Sequence, residues 1–273
     1  MTTALPDYAV YAIRYATRDA RRRDHFVGGD PHDAPMPMDY FVWAIVGAGR
    51  SVVVDTGFTA SIAALRGREH LRCPADALGL IGVQAVEVQD VVVTHMHYDH
   101  AGNLARFPSA RVHIQEAEMQ FACGRHMREK ALSHSYECED VVCAVRANFA
   151  GRLEFHSGDA QLFPGISLHL VGGHTPGMQF VRVHTRRGWV VLASDAAHFY
   201  ENIESRRPFT IVADMQQMAD GWSRANALAD SPRHVVPGHD PLVMQHYPAP
   251  CKDLEGIVAQ LDAEPTACGP TTE

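Results

Sequence analysis

The segment THMHYDHAGN, residues 94–103, decides what can be expected of the whole chain. It places His95, His97, Asp99 and His100 within six positions. Imidazoles this close compete for hydrogen-bond partners and repel one another when they are protonated. A divalent cation removes both problems, because neutral imidazole nitrogens and carboxylate oxygens are ligands for ions of the zinc class. The segment therefore predicts a metal-binding loop.

Three further candidate ligands also follow directly on predicted strands. His174 comes after a strand at 166–173, Asp195 follows WVVLAS and His239 follows HVVPG. The ends of neighbouring strands meet at one edge of a sheet, so we expect these side chains to converge with the 94–103 loop.

Seven donors of this kind suit two ions with a shared water. In an extended HxHxDH loop, we expect His95 and His97 to hold one ion together with His174. The second ion is expected to bind Asp99, His100 and His239, with one oxygen of Asp195 directed to each ion.

Strands and helices alternate along the rest of the chain. Predicted strands lie at 8–16, 41–57 (a hairpin), 89–95, 110–115, 166–173, 178–185, 188–195 and 234–240; predicted helices lie at 59–71, within 115–150, at 213–229 and at 251–263. This order predicts two sheets packed together with helices outside, in a single domain, 1–273, with a helical insert at about 115–150.

The composition narrows the class of partner. The chain has 273 residues and a formal net charge of −8, and its only basic block is Arg21–Arg23, so nucleic acid is not expected as the main partner. No apolar run reaches the ~18 residues of a membrane span, and no signal-peptide pattern opens the chain. Its six scattered cysteines indicate reduced thiols, and we expect a cytoplasmic protein that does not bind membranes.

The motifs THMHYDHAGN, GGHTPG (172–177), ASDAAH (193–198) and VPGHD (236–240), preceded by VVVDTG (52–57), resemble the metallo-β-lactamase superfamily over about residues 41–240. The resemblance implies an αββα sandwich of two mixed sheets with flanking helices and a dinuclear metal site at one sheet edge. Within the superfamily the chain is most similar to the N-acyl-homoserine lactone lactonases. Class B β-lactamases carry Cys at the position of Asp195, and flavo-diiron oxidoreductases carry Glu at that of His97.

The lactonase resemblance implies a reaction and its residues. Two divalent ions, expected to be zinc, would activate a water that opens a small lactone. The substrate would be an acyl-homoserine lactone or a related lactone, with aromatic lactones included. Asp99 would orient the water and carry a proton. Lactonases of this branch place Tyr three residues after the bridging Asp, where this chain has His198; His198 or Tyr200 would donate to the developing oxyanion. A homodimer is plausible from the same resemblance.

The sequence also leaves other functions open. A glyoxalase-II-like thioesterase would use the same metals, although that family carries a sizeable helical domain after its last ligand. A metal-dependent nuclease or a non-catalytic metal-binding module is a further alternative. Asp55 is a candidate acceptor for a ligand imidazole N–H, against the alternative of a turn-forming residue.

Two segments are expected to wall the substrate pocket. These are the insert at 115–150 and the loop at 25–40. Four Met and aromatic residues of that loop are candidates for an apolar pocket lining, against the alternative that they belong to the core: Phe26, Met36, Met38 and Tyr40. Arg206 and Arg207 are candidates for binding a substrate carboxylate, against the alternative of a solvated pair.

Overall fold

Two β-sheets form the centre of the protein, whose computed structural model describes residues 4–266. The first sheet contains β1 (Ala9–Arg18), β2 (Met38–Gly47), β3 (Arg50–Val54), β4 (Glu69–His70), β5 (Asp90–Val92), β6 (Arg111–Gln115), β7 (Leu153–His156) and, from late in the chain, β13 (Val258–Gln260). The second contains β8 (Ala160–Phe163), β9 (Ile166–Leu170), β10 (Gln179–Thr185), β11 (Gly188–Ser194) and β12 (Val235–Pro237).

Both sheets are mixed. In the first sheet, the order is β13-β1-β2-β3-β5-β6-β7, with β4 paired to β1, and the strands from β3 to β7 run parallel. In the second, the order is β12-β11-β10-β9-β8, and only β11 and β12 are parallel. The helices are α1 (Ala60–Arg66), α2 (Pro74–Ala77), α3 (Tyr98–Ala101), α4 (Glu116–Ala122), α5 (Lys130–Ser133), α6 (Cys138–Phe149), α7 (Tyr200–Glu204), α8 (Met215–Leu228) and α9 (Leu242–His246).

The sequence of β2 shows how the layers are held together. Its side chains alternate between the two faces of the sheet. Phe41, Trp43 and Ile45 pack against the second sheet, while Val42 and Ala44 pack toward the helices on the outside of the first. Both faces are covered, which explains why the strand is apolar throughout.

The outer face of the second sheet is covered by α8. Met218 and Trp222 of this helix join the cluster formed by Phe180 and Val191, and the Trp222 indole N–H donates to the Ala196 carbonyl at 2.6 Å. The layers are therefore helix, sheet, sheet, helix, as expected from the family resemblance. No helix within residues 4–266 is long and apolar enough to cross a membrane.

One predicted helix is wrong. Residues 251–263 form a short 3₁₀ turn, Lys252–Leu254, followed by β13, which pairs antiparallel with β1. Gly256 has φ +70°, a conformation that ends helical propagation and turns the chain back to the sheet. Apolar spacing over such a short stretch fits a helix and a strand equally well, and pairing with a distant strand decides the outcome.

The loop between β1 and β2 is attached to the segment after β11 by ion pairs. Arg22 lies 2.9 Å from Asp30 and 2.6 Å from Glu201, and Arg207 lies 2.8 Å from Asp30. Arg207 therefore has a carboxylate partner within the protein, and the Arg206 guanidinium lies over the Trp222 ring. Neither of them lines the metal cavity described below.

His25 anchors the same loop from inside. Its ring is fully buried beside Phe199 and Phe209, and its Nε2 lies 2.8 Å from the Met36 carbonyl oxygen. Burial lowers the pKa of His25 to about 4, so the ring is neutral at pH 7 and donates to that carbonyl.

We expect acid to destabilise the native protein through His25. Its folded-state pKa lies below the ordinary value of 6.5, so the unfolded chain binds the proton first and stability is lost as the pH falls from about 6.5 to about 4. Melting temperatures measured between pH 7 and pH 4.5 should fall more steeply for the native protein than for His25→Gln. The exposed His32→Gln on the same loop should follow the native curve; parallel curves for all three proteins would refute this role of His25.

Candidate metal centre

The structure brings all seven candidate ligands together in two adjoining groups. His95, His97, His174 and Asp195 offer ligand atoms that all lie within 4.8 Å of one another, and so do Asp99, His100 and His239. Asp195 Oδ2 is 3.3 Å from His174 Nε2, while Asp195 Oδ1 is 2.9 Å from His239 Nε2. The Asp195 carboxylate thus separates the two groups, with one oxygen directed to each.

A change of backbone conformation divides the donors of the 94–103 loop. Up to His97, which has φ −66° and ψ 152°, the chain is extended, and α3 then begins at Tyr98. The expectation of an extended loop throughout is therefore wrong. The helical turn carries Asp99 and His100 as consecutive residues and directs both to the second group.

Asp55 fixes one ligand ring and two neighbouring segments. Its Oδ2 lies 2.8 Å from His100 Nδ1 and accepts the Thr94 hydroxyl at 2.8 Å, and its Oδ1 accepts the Thr94 N–H at 2.7 Å. The Ser194 hydroxyl donates to the same carboxylate at 3.3 Å. With the His100 proton held on Nδ1, its Nε2 lone pair faces the centre.

Backbone carbonyls orient two further rings in the same way. His174 Nδ1 lies 2.8 Å from the Ile211 oxygen, and His239 Nδ1 lies 2.9 Å from the Asp39 oxygen. In both cases the Nδ1–H donates to a carbonyl, which leaves Nε2 as the ligand atom.

Glu118 on α4 is a residue that the sequence analysis missed. It is fully buried and accepts four hydrogen bonds, from the N–H groups of Met96 and Gly177 and from the hydroxyls of Tyr136 and Thr175. One carboxylate thereby joins the HxHxDH loop, the turn after His174 and the insert. Glutamate in the first turn of a helix gives no signal of such contacts, because all four partners depend on the fold.

The donor set fits divalent cations of the zinc class. Burial lowers the pKa of His95 and His97 well below the usual value, so both rings are neutral ligands. Among residues 4–266, four buried atoms that face the centre make no hydrogen bond of good geometry: the Nε2 atoms of His95, His100 and His239 and Oδ1 of Asp195. Buried polar atoms without partners are costly, and coordination to a cation satisfies them.

A cavity of about 370 Å³ opens onto this centre. Met38 and Tyr40 line it, and so do His134 and Ser135 of the insert. Phe26 instead belongs to the buried interior, the core role that the sequence left open for it, whereas Met36 lies in a separate groove.

The two candidate donors after Asp195 have different positions. His198 lines the cavity, with its Nε2 3.0 Å from Asp195 Oδ2 and its ring stacked on Phe209 at 3.6 Å. Tyr200 lies in the separate groove beside Tyr247 and does not line the metal cavity. That groove is larger, about 980 Å³, but contains none of the seven ligands.

Comparison with known proteins agrees with this geometry. Over 130 residues the chain is 31% identical to an N-acyl homoserine lactonase of Bacillus cereus, a match that covers 47% of this chain and 46% of that protein. It therefore spans about half the length of that relative. A probable metallo-hydrolase of Mycobacterium tuberculosis is 26% identical over 230 residues, covering 72% of this chain and 71% of its own.

Solved structures share the fold at lower identity. A quorum-quenching N-acyl homoserine lactone lactonase superposes with a TM-score of 0.72 at 20% identity, covering 88% of this chain and 94% of that one. A probable metal-dependent hydrolase from Staphylococcus aureus gives 0.73 at 14% identity and 97% of both chains. The profile of the metallo-beta-lactamase superfamily matches residues 36–239, and the chain belongs to that superfamily.

Proposed function

We propose that this protein is a dinuclear metal hydrolase that opens a small lactone. The observation that carries the proposal is the pair of donor groups with Asp195 between them at the floor of a cavity. The Bacillus cereus relative is an N-acyl homoserine lactonase, and one protein of the same fold is described with its product bound at the catalytic metal center. Another is described as a dizinc quorum-quenching lactonase, which supports zinc as the ion here and quorum quenching as a role.

The protein groups have separate tasks in ring opening. His95, His97 and His174 would hold one ion, and Asp99, His100 and His239 the other, with Asp195 shared. When bound, such ions polarise the ester carbonyl and lower the pKa of a water toward ~7. Asp99 is nearly buried and lines the cavity, so it can take the proton of the attacking water and give it to the ring oxygen as the C–O bond breaks.

His198 is the donor to the developing oxyanion in this proposal. Burial lowers the pKa of His198 to about 3, so the ring is neutral at pH 7. Its Nδ1 is buried without a partner, and its Nε2 faces the Asp195 carboxylate at the cavity floor. In the tautomer with the proton on Nε2, this N–H donates to Asp195 Oδ2 at 3.0 Å, and in this proposal it turns to the oxyanion as negative charge develops there. Tyr200 lies in the separate groove and does not line the metal cavity, so it does not share this role.

Removal of the metal should abolish lactone opening. We expect the chelator-treated protein to release no acid from lactones in a pH-indicator assay, and zinc to restore the rate at two ions per chain, one for each donor group. A thioester panel read with a thiol dye is run beside it. Full activity at one ion per chain, or turnover of thioesters alone, would contradict the proposal.

Loss of the Asp55 carboxylate should weaken metal binding. Because Asp55 orients the His100 ring, we expect Asp55→Asn to reduce the affinity for the second ion by roughly 10–100-fold, the usual effect of removing such a partner. Competition with a chromophoric chelator measures it. Asp90→Asn is the matched control, because Asp90 is a buried aspartate at the start of β5, at the end of the strand away from the metal loop. Equal losses of metal affinity in the two variants would indicate a general effect on folding.

His198 should affect turnover but not metal content. We expect His198→Ala to lower kcat by about 10²-fold, within the range for loss of an oxyanion donor. His198→Tyr should stay near the native rate, since the phenol offers an equivalent O–H. Metal analysis should find two ions per chain in all three proteins. A collapse of activity in the tyrosine variant with its metal intact would rule out this assignment.

A further inference from the structure

Two arginines at the mouth of the metal cavity have no carboxylate partner. Arg18 and Arg68 both line the cavity and are half-buried. Within residues 4–266, no Asp or Glu oxygen lies within 4 Å of either guanidinium, although most arginines around the β1–β2 loop are paired. A third arginine of the lining, Arg66, is neutralised by Glu137 at 2.6 Å.

The contacts of the two guanidinium groups leave several N–H donors unused. Within residues 4–266, the one hydrogen bond of the Arg18 guanidinium is to the Met38 sulfur, at 2.9 Å, and its Nε is buried without a partner there. Arg68 donates to the Tyr98 hydroxyl at 3.2 Å and to the Arg66 carbonyl at 2.8 Å. A guanidinium has five N–H donors, so both groups can bind a further acceptor.

The register of strand pairing brings Arg18 and Arg68 to opposed positions. In the antiparallel pairing of β1 with β4, Ala16 lies opposite His70 and Thr17 opposite Glu69. Arg18 and Arg68 are the next residues in that register. Like charges at opposed positions repel each other, and an anion between them removes the repulsion.

The neighbouring acids do not pair with the two guanidinium groups. Asp99 acts on the charge of Arg68 but belongs to the second donor group. Asp19 and Asp24 also line the cavity, but both are exposed, and Asp24 accepts the Arg21 N–H at 3.3 Å. The Tyr40 hydroxyl experiences the charges of both Arg18 and Arg68, and the Tyr40 ring packs edge-on against His239 at 5.1 Å. The arginine pair thus lines the same cavity as Asp99 and His239 of the second donor group.

We propose that Arg18 and Arg68 bind a carboxylate carried by the substrate, so that the preferred substrate is a lactone with an anionic substituent. This rests on the proposed lactonase function. The planar guanidinium pairs with the two oxygens of a carboxylate, and such charge-assisted bonds are about twice as strong as neutral ones. The described lining of this cavity is mostly polar, and an adjoining cavity of about 290 Å³, which shares two of the ligand histidines with it, adds apolar side chains such as Leu132 and Val212.

The test compares two lactones that differ only in charge. We measure kcat/KM of the zinc-loaded protein for γ-butyrolactone and for the same ring bearing a carboxylate on the carbon next to the ring oxygen. The native protein should favour the carboxylated ring by roughly tenfold or more, the discrimination expected from one charge-assisted pair. Arg68→Gln and Arg18→Gln should each remove most of that preference, mainly through KM. Arg146→Gln, an exposed arginine on α6, is the matched control and should keep it.

A binding experiment separates this inference from the lactonase proposal. Calorimetry compares the ring-opened products 2-hydroxyglutarate and 4-hydroxybutyrate, which differ by one carboxylate. Tighter binding of the dicarboxylate to the native protein, with the difference lost in both arginine variants, supports the carboxylate site. If that result is obtained and no lactone is turned over, the lactonase function alone fails. Equal binding of the two products, or an unchanged preference in both folded variants, overturns the proposal.

Discussion

The carboxylate of Asp55 is the interaction on which the site depends, because it joins the two sheets at the edge where the ligands meet. It follows β3 of the first sheet, receives two hydrogen bonds from Thr94 at the start of the HxHxDH loop, and receives a third from Ser194 at the end of β11 in the second sheet. Asp55 has φ +63° and Ser194 φ +45°, conformations that cost energy for residues with a side chain. The shared network offsets that cost, and His95 and Asp195 stand next to its members.

A second buried carboxylate performs the corresponding task on the side of the insert. Glu118 links the backbone on either side of the metal ligands to α4 and, through Tyr136, to the segment that walls the cavity. The Tyr136 ring in turn packs edge-on against His97 at 4.7 Å. Hydrogen bonds to the two carboxylates restrain the segments that carry the ligands, which favours an arrangement of the imidazoles suited to a cation. Such preorganisation reduces the entropy that ion binding must overcome.

The part of the site that depends on local sequence was predictable, and the part that depends on distant pairing was not. Runs of apolar residues ending in His or Asp identify strand ends, and strand ends of one edge converge, so the proximity of His174, Asp195 and His239 to the 94–103 loop could be predicted from the sequence. Glu118 and the Arg18–Arg68 pair carry no such local signal. Their roles arise from α4 packing on a remote loop and from the register of β4 on β1. The strand at 258–260 escaped prediction for the same reason, since its partner lies at the beginning of the chain.

The pairing of β13 with β1 has a consequence for biosynthesis. Residues 11–13 of β1 are made long before their partners at 258–260. Until then this part of the β1 edge has backbone donors and acceptors that only water can satisfy, and open strand edges of this kind invite pairing between chains. The nascent protein thus carries an unprotected stretch of sheet edge while the residues between β1 and β13 are translated. Closure of that edge, with its large sequence separation, belongs to the slow, late steps of folding.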